Sequence, residues 1–235
     1  MQHGAEHLIV ALDVPGAEPA MKLVKQLKPY GVSFKIGLEL FMAEGPRFVE
    51  KLAADNRIFL DLKYYDIPDT TAAAVKAAAS LGVFMVNLHA SGGRKMLTAA
   101  REAIANLDKK PILLAVTALT SMDNSDLYET GCSHNTDERV ALLAKLAAES
   151  GLDGVVCSPL EINIVKNNVS KLFITVTPGV RPENEDANDQ VRVASPSEVV
   201  RAGGDYLVVG RPITRSDDPG KTTMAILREM GVHSE

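Results

Sequence analysis

Two kinds of stretch alternate along the chain. Short, continuous apolar runs rich in β-branched residues recur at 8–13, 33–37, 58–63, 83–89, 112–117, 154–158, 172–177 and 206–210. Runs of this length without clean in–out alternation are the pattern of parallel strands covered by helices. Between them, apolar residues return at helical spacing: Met21, Leu23, Val24 and Leu27; Phe48, Val49, Leu52 and Ala53; Val140, Leu143, Ala144 and Ala147; Met224, Ile226, Leu227 and Met230. The alanine-rich segment 70–82 is helical by propensity and stops at Gly82. Ser195-Pro196-Ser197-Glu198 reads as a capping box with proline at the first helical position.

The first four strands start at residues 8, 33, 58 and 83, an even spacing of 25, which is one strand plus one helix. No Gly/Ser- or Pro-rich linker divides the chain, so residues 1–235 read as a single domain. Eight such units, in a chain close to the roughly 250 residues typical of the class, predict a closed (β/α)8 TIM barrel. The alternative, a doubly wound open sheet, lacks a G-x-G-x-x-G after its first strand. The even spacing breaks after strand five (118–137) and after strand seven (178–194). Long connections in a compact domain are usually binding loops or lids, and both fall at the C-terminal ends of strands, the active face of a barrel.

Composition narrows the classes. The 235 residues are 46% hydrophobic with no tryptophan, enough for an ordinary core, and the net charge of −5 disfavours nucleic acid or an anionic membrane as main partner. Cys132 and Cys157 form no metal-spaced set, which fits a reducing, cytoplasmic setting, and Cys157 reads as a small core residue. The segment M-Q-H-G-A-E-H carries no basic signal-peptide region, and no apolar run approaches the roughly 18–20 residues that span a bilayer.

Chemistry concentrates in residues 59–70, F-L-D-L-K-Y-Y-D-I-P-D-T. Charges are rarely buried without partners, and alternation along a strand sends Asp61 and Lys63 to one face. A structural ion pair would explain the pair alone. The ends of the other strands add polar company: Asp13 on the first, Lys35 on the second, His89 on the fourth, Thr117 and Thr120 on and beyond the fifth, Arg181 after the seventh, Gly210 and Arg211 on the eighth. Polar residues at the C-terminal ends of several strands are how barrels build active sites. Asp13 also fits a turn cap, Lys35 a snorkelling side chain, and His89 a hydrogen-bonded core histidine. The seventh and eighth loops of a barrel frequently hold phosphate; Gly210 permits close approach while Arg181 and Arg211 offer forked donors. Glu183, Glu185, Asp186 and Asp189 disfavour the intervening loop as an anion clamp and are expected to face water, leaving Arg181 and Gln190 to face inward.

In this order, A-L-D at 11–13, F-K-I-G at 34–37, D-L-K-x-x-D-I-P-x-T at 61–70, L-T-S at 119–121, T-P-G-V-R at 177–181, D-Q at 189–190 and V-G-R-P at 209–212 make the chain resemble the orotidine 5′-phosphate decarboxylases of bacterial type, nearly end to end. The resemblance implies decarboxylation of orotidine 5′-monophosphate to uridine 5′-monophosphate, with neither metal nor cofactor. Lys63 would be the catalytic acid, within a charged network with Lys35, Asp61 and Asp66. Asp66 and Thr70 would come from the other subunit of a homodimer. Asp13 and Lys35 would bind the ribose hydroxyls, Ile67 would line the pyrimidine pocket, and Thr120 would contact the pyrimidine edge. Arg181, Gln190, Gly210 and Arg211 would hold the 5′-phosphate, with Pro178 also among the substrate-binding residues. Departures from the family pattern stand at Tyr64-Tyr65, at Asp69 before Thr70 and near Asn184. Related magnesium-dependent sugar-phosphate decarboxylases share the D-x-K-x-x-D pattern but carry acidic residues on the second strand, where this chain has Lys35. A non-catalytic nucleotide-binding barrel is the other alternative, disfavoured by the intact Asp61, Lys63 and Asp66.

Overall fold

A computed structural model describes residues 3–182 and 194–232. Eight parallel strands close into a barrel in sequence order: β1 (Leu8–Ala11), β2 (Ser33–Ile36), β3 (Ile58–Tyr64), β4 (Met85–His89), β5 (Ile112–Val116), β6 (Gly154–Val156), β7 (Ile174–Thr177) and β8 (Tyr206–Val209). The expected TIM barrel is therefore observed. Its helices are α1 (Ala17–Leu27), α2 (Leu38–Ala53), α3 (Pro68–Ser80), α4 (Gly93–Ala103), α5 (Asn124–Glu129), α6 (Thr136–Glu149), α7 (Ile162–Asn168), α8 (Pro196–Arg201), α9 (Arg211–Thr214) and α10 (Pro219–Glu229). No helix among the described residues is long and apolar enough to cross a membrane.

Several boundaries differ from those expected. The first strand ends at Ala11, which leaves Asp13 beyond the ladder; the fourth begins at Met85 and the seventh at Ile174, with Leu172 81% exposed. Apolar character at a strand entry had over-extended both. The connection 118–137 is not a bare loop. It carries α5, begun by Asp123, whose carboxylate accepts from the N–H groups of Ser125 and Asp126. The capping box at Ser195 forms as read, with its hydroxyl accepting from the Glu198 N–H and opening α8.

Two apolar layers hold the barrel. The larger lies between strands and helices and includes Val10, Phe34, Leu60, Val86 and Leu113. The smaller fills the barrel interior with Ile9, Ala11, Phe59, Met85, Leu114, Val116, Val156, Val176, Tyr206 and Val208. Because strand side chains alternate, the next residues in phase with this inner layer are Asp13, Asp61, Asn87 and Gly210, each nearer the C-terminal end of its strand. The bottom of the barrel is closed differently. Lys166 on α7 is buried against Asp205 at 2.7 Å, and the same Asp205 oxygen accepts from the backbone N–H of Thr175. Arg101 and the Leu113 N–H converge similarly on Asp153. These carboxylates tie strand entries together, a stabilising role at the face opposite the site.

Candidate active site

A cavity of about 220 Å³ opens at the C-terminal end of the barrel. Its floor is the upper tier of the inner layer: Ala11, Phe59, Val116, Val156 and Val208. Its polar wall is Asp13, Lys35, Asp61 and Lys63 on one side and Arg181, Gly210 and Arg211 on another, with Thr120 and Pro178 between.

Asp61 is the hub of the charged wall. Lys63 Nζ lies 2.7 Å from its Oδ1, Lys35 Nζ 3.4 Å from its Oδ2, and Lys35 Nζ also 3.0 Å from Asp13 Oδ1. Lys35 and Asp61 are both buried, whereas Asp13 is exposed and Lys63 half-buried. Burial disfavours the Asp61 carboxylate, but the charges of Lys35 and Lys63, with hydrogen bonds from Lys63 and Asn87, outweigh it and hold the carboxyl below its ordinary range. Burial likewise opposes the Lys35 ammonium; Asp61 and Asp13 outweigh it, and its pKa is raised. Gly37 makes room for this arrangement, since a Cβ there would stand 3.1 Å from Lys35 Nζ and 3.4 Å from Asp13 Oδ1.

Simple alternation does not bring Lys63 to Asp61. Leu60 pairs with Val86 but Tyr64 pairs with Leu88, so β3 gains two residues over β4 in a bulge spanning Asp61, Leu62 and Lys63. Lys63 has φ 52°, the one positive φ outside glycine among the described residues. A left-handed lysine costs on the order of 1–3 kcal/mol and persists only where its surroundings over-determine it. Here Asn87, fully buried on β4, accepts the Lys63 backbone N–H at 2.9 Å and donates to Asp61 Oδ1 at 2.7 Å. Sequence reading passed over Asn87; the available signal was an amide inside the apolar run M-V-N-L-H, in phase with Met85.

On the opposite wall Arg181 is buried, its guanidinium donating to the Val180 carbonyl at 3.1 Å and its backbone N–H to Ala194 at 3.0 Å. Gly210 precedes α9 with φ −109°; a Cβ there would meet Ala11 and Asp13 only at 3.5 and 3.6 Å. Packing within the chain thus leaves room for a Cβ, and that room is cavity space beside Asp13. Gln190 and the acidic residues Glu183, Glu185, Asp186 and Asp189 lie outside the described residues, as does Asn184.

Three expected residues stand apart. Asp66 and Thr70 are exposed, Ile67 is 66% exposed, and none of them lines the cavity of this chain. The Asp66 carboxylate accepts its neighbour's N–H, that of Ile67, at 2.7 Å. His89 packs against Tyr65, its pKa lowered by burial and by the Lys63 charge, and it does not line the cavity. Burial pushes the Tyr64 phenol up to about 12. Among the described residues no three His, Cys, Asp or Glu side chains group as a metal site. Cys157 is buried, as its apolar context suggested.

Comparison with known proteins points to one family. The family model described as Orotidine 5′-phosphate decarboxylase / HUMPS family matches residues 6–226. The orotidine 5′-phosphate decarboxylase of Halorhodospira halophila is 50% identical over 228 residues, covering 97% of each chain. That of Dichelobacter nodosus is 49% identical over 221 residues, covering 94% of this chain and 96% of its own. The crystal structure of orotidine 5′-phosphate decarboxylase from Lactobacillus acidophilus superposes with a TM-score of 0.86 at 39% identity, over 96% of this chain and 99% of the other.

The charge pattern has a thermodynamic consequence. A depressed Asp61 contributes stability that is fully present above the unfolded value of about 3.9 and lost as pH falls through the lower folded value. Urea unfolding should therefore show a constant difference between wild type and Asp61→Asn from about pH 7 to pH 5, with wild type losing ground only below about pH 4. A difference that stays constant down to about pH 2 contradicts the depressed carboxyl.

Proposed function

The chain belongs to the orotidine 5′-phosphate decarboxylase / HUMPS family, and from that premise we propose that it converts orotidine 5′-monophosphate to uridine 5′-monophosphate, the last step of de novo pyrimidine synthesis, without metal or organic cofactor. The observation that carries the reading is the Lys63–Asp61–Lys35 array at the rim of a cavity whose other wall holds Arg181 and Arg211. A strand-borne lysine paired to a buried carboxylate suits a reaction that leaves an electron pair on carbon.

In this mechanism the bond from the pyrimidine C6 to its carboxylate breaks, CO2 departs, and the electron pair remains on C6. No adjacent carbonyl can receive it, so the Lys63 ammonium stabilises the carbanion electrostatically and then transfers its proton to that carbon. Solvent reprotonates the lysine. One such interaction is worth only about 3–4 kcal/mol, so positioning, exclusion of water and remote binding at the phosphate supply the rest. Asp13 and Lys35 bind the ribose hydroxyls, Thr120 the pyrimidine edge, and Arg181, Gln190, Gly210 and Arg211 the 5′-phosphate, with Pro178 between the two ends. Asp61 keeps Lys63 charged and aimed.

Asp66, Ile67 and Thr70 serve the cavity of a second copy in a homodimer. Their exposure in the single chain, beside Tyr65 at 63% exposed, supports this assignment. The runner-up, a magnesium-dependent sugar-phosphate decarboxylase, is disfavoured by Lys35. Its ammonium already stands within 3.0 Å of Asp13 and 3.4 Å of Asp61, the carboxylates a divalent ion would need.

Three measurements test these roles. With metals chelated, the wild-type chain should bleach the orotate chromophore of orotidylate, while Lys63→Ala should lose at least about 10³-fold in turnover yet still bind the product nucleotide; near-normal turnover of that variant removes Lys63 from the mechanism. Arg211→Ala should cost about 10²-fold in kcat/KM on orotidylate and little on the phosphate-free nucleoside, since charge-assisted bonds contribute roughly 1.5–3 kcal/mol each; equal losses contradict a phosphate contact. Co-refolded Lys63→Ala and Asp66→Ala chains should regain activity that neither has alone, because a hybrid dimer keeps one unaltered site. No recovery would place Asp66 in its own chain's site or outside catalysis.

A further inference from the structure

Asn87 is fully buried and its side chain does not line the cavity, yet its amide touches two parts of the reactive strand. Its oxygen accepts the Lys63 backbone N–H at 2.9 Å and its nitrogen donates to Asp61 Oδ1 at 2.7 Å. The amide can face only one way. An ionised Asp61 offers acceptors alone, so it must meet the NH2, and the Lys63 N–H must then meet the carbonyl oxygen. Asp61 Oδ1 is also the atom that receives Lys63 Nζ, so one carboxylate oxygen is shared between the amide and the ammonium.

We infer that Asn87 is a positioning residue for the decarboxylation: its one side chain locks the β3 bulge that holds Lys63 in its left-handed conformation and fixes the carboxylate against which the ammonium is aimed. The inference rests on the function proposed above. Without the amide, the Lys63 peptide loses its partner at the bulge and relaxes toward a commoner φ, carrying the side chain with it. In a regular strand Leu62 would stand opposite Leu88; instead the register jumps from Leu60 opposite Val86 to Tyr64 opposite Leu88, and the Lys63 N–H inside that bulge is held by Asn87. Asn87 thus converts a costly backbone state into a fixed direction for the ammonium. A purely structural asparagine would affect stability and leave the chemical step alone.

Two full-length variants separate these roles. Asn87→Leu keeps the branched shape of the side chain and removes both hydrogen bonds. Its kcat on orotidylate should fall about 10²-fold, the cost of a misplacement near 1 Å, with KM within about threefold of wild type. Asn87→Asp tests the same bonds through pH. Ionised, the new carboxylate repels Asp61 and donates nothing; protonated, it can donate to Asp61 and accept from the Lys63 N–H, restoring both contacts. The groups that face it are Asp61 and Lys63 on β3 and, through Asp61, Lys35 on β2, with His89 two residues along on β4; the β5 neighbour, Leu114, carries no charge. Burial beside Asp61 favours the neutral acid, so kcat of Asn87→Asp relative to wild type should rise at least about tenfold from about pH 8 to about pH 5.

A flat ratio, or an Asn87→Leu enzyme with wild-type kcat, overturns the inference; should Asn87→Leu not fold, the Asn87→Asp profile decides. Failure of the functional reading looks different, because then wild type itself does not decarboxylate orotidylate. In that case amide hydrogen exchange still tests the positioning: the Lys63 amide should exchange slowly in wild type and much faster in the Asn87 variants, without a matching rise in the β5 and β8 amides. Unchanged Lys63 protection overturns it.

Discussion

A buried carboxylate with two ammonium groups on it is the constraint around which this barrel mouth is built. Asp61 alone would be expelled from so enclosed a position or would take up a proton, and Lys35 alone would tend to give one up. Together they hold each other charged, and the arrangement is tolerated because each of the two buried members has more than one partner: Asp61 has Lys35, Lys63 and Asn87, and Lys35 has Asp61 and Asp13. Such clusters are weak as stabilising devices, since desolvation consumes most of the Coulombic gain. Their value lies in fixing direction and charge state. Lys63, the least buried of the inner three, is the member with freedom to meet a ligand.

The rest of the fold supplies the conditions that make this cluster usable. The inner layer from Ile9 to Val208 seals the barrel below, so the charges see solvent only from the mouth. Strand alternation sets Asp13, Asp61 and Asn87 directly above that layer, and the ladder pairing of Ala11 with Lys35 and Lys35 with Phe59 brings neighbouring strand ends to one level. The arginine wall is contributed by strands far along the chain, β7 and β8, which closure of the barrel returns to the side of β1. A ligand with a reactive end and an anionic end can therefore bridge two walls that stand at, or just beyond, the C-terminal ends of rigid strands.

Much of this was legible in the sequence. Eight apolar runs at near-constant spacing specify a barrel because each strand–helix unit must bury both faces of its strand, and a closed parallel ring is the arrangement that does so for eight. The wall residues were legible for the same reason: a charge at the C-terminal end of a buried strand has nowhere to point but the mouth. Two things were hidden. One was the bulge at Lys63, because a local excess of two residues on β3 over β4 depends on which residues pair, and a single strand's pattern does not contain it. The other was Asn87, whose meaning comes from its partners on β3; in isolation a buried amide in an apolar strand is one more polar residue awaiting a hydrogen bond. The strand boundaries at Asp13, Val83 and Leu172 were misplaced where apolar or polar character runs past the last ladder bond.

The bulge also governs what lies after it. A strand that continued regularly past Lys63 would carry Tyr65, Asp66 and Ile67 up the barrel wall. Instead the backbone turns left-handed at Lys63, and within a few residues Pro68 opens α3. Tyr65 and Ile67 are consequently left 63% and 66% exposed, and Asp66 satisfies itself on its own backbone. Two large apolar side chains at a rim, flanking a carboxylate that pairs with no cation among the described residues, form a surface suited to a second copy that covers the apolar area and supplies the counter-charge. The same turn that aims the ammonium inward therefore presents the following residues outward. The proposed catalytic geometry and the proposed subunit contact then become two consequences of one backbone feature, and a substitution that straightened β3 would disturb both together.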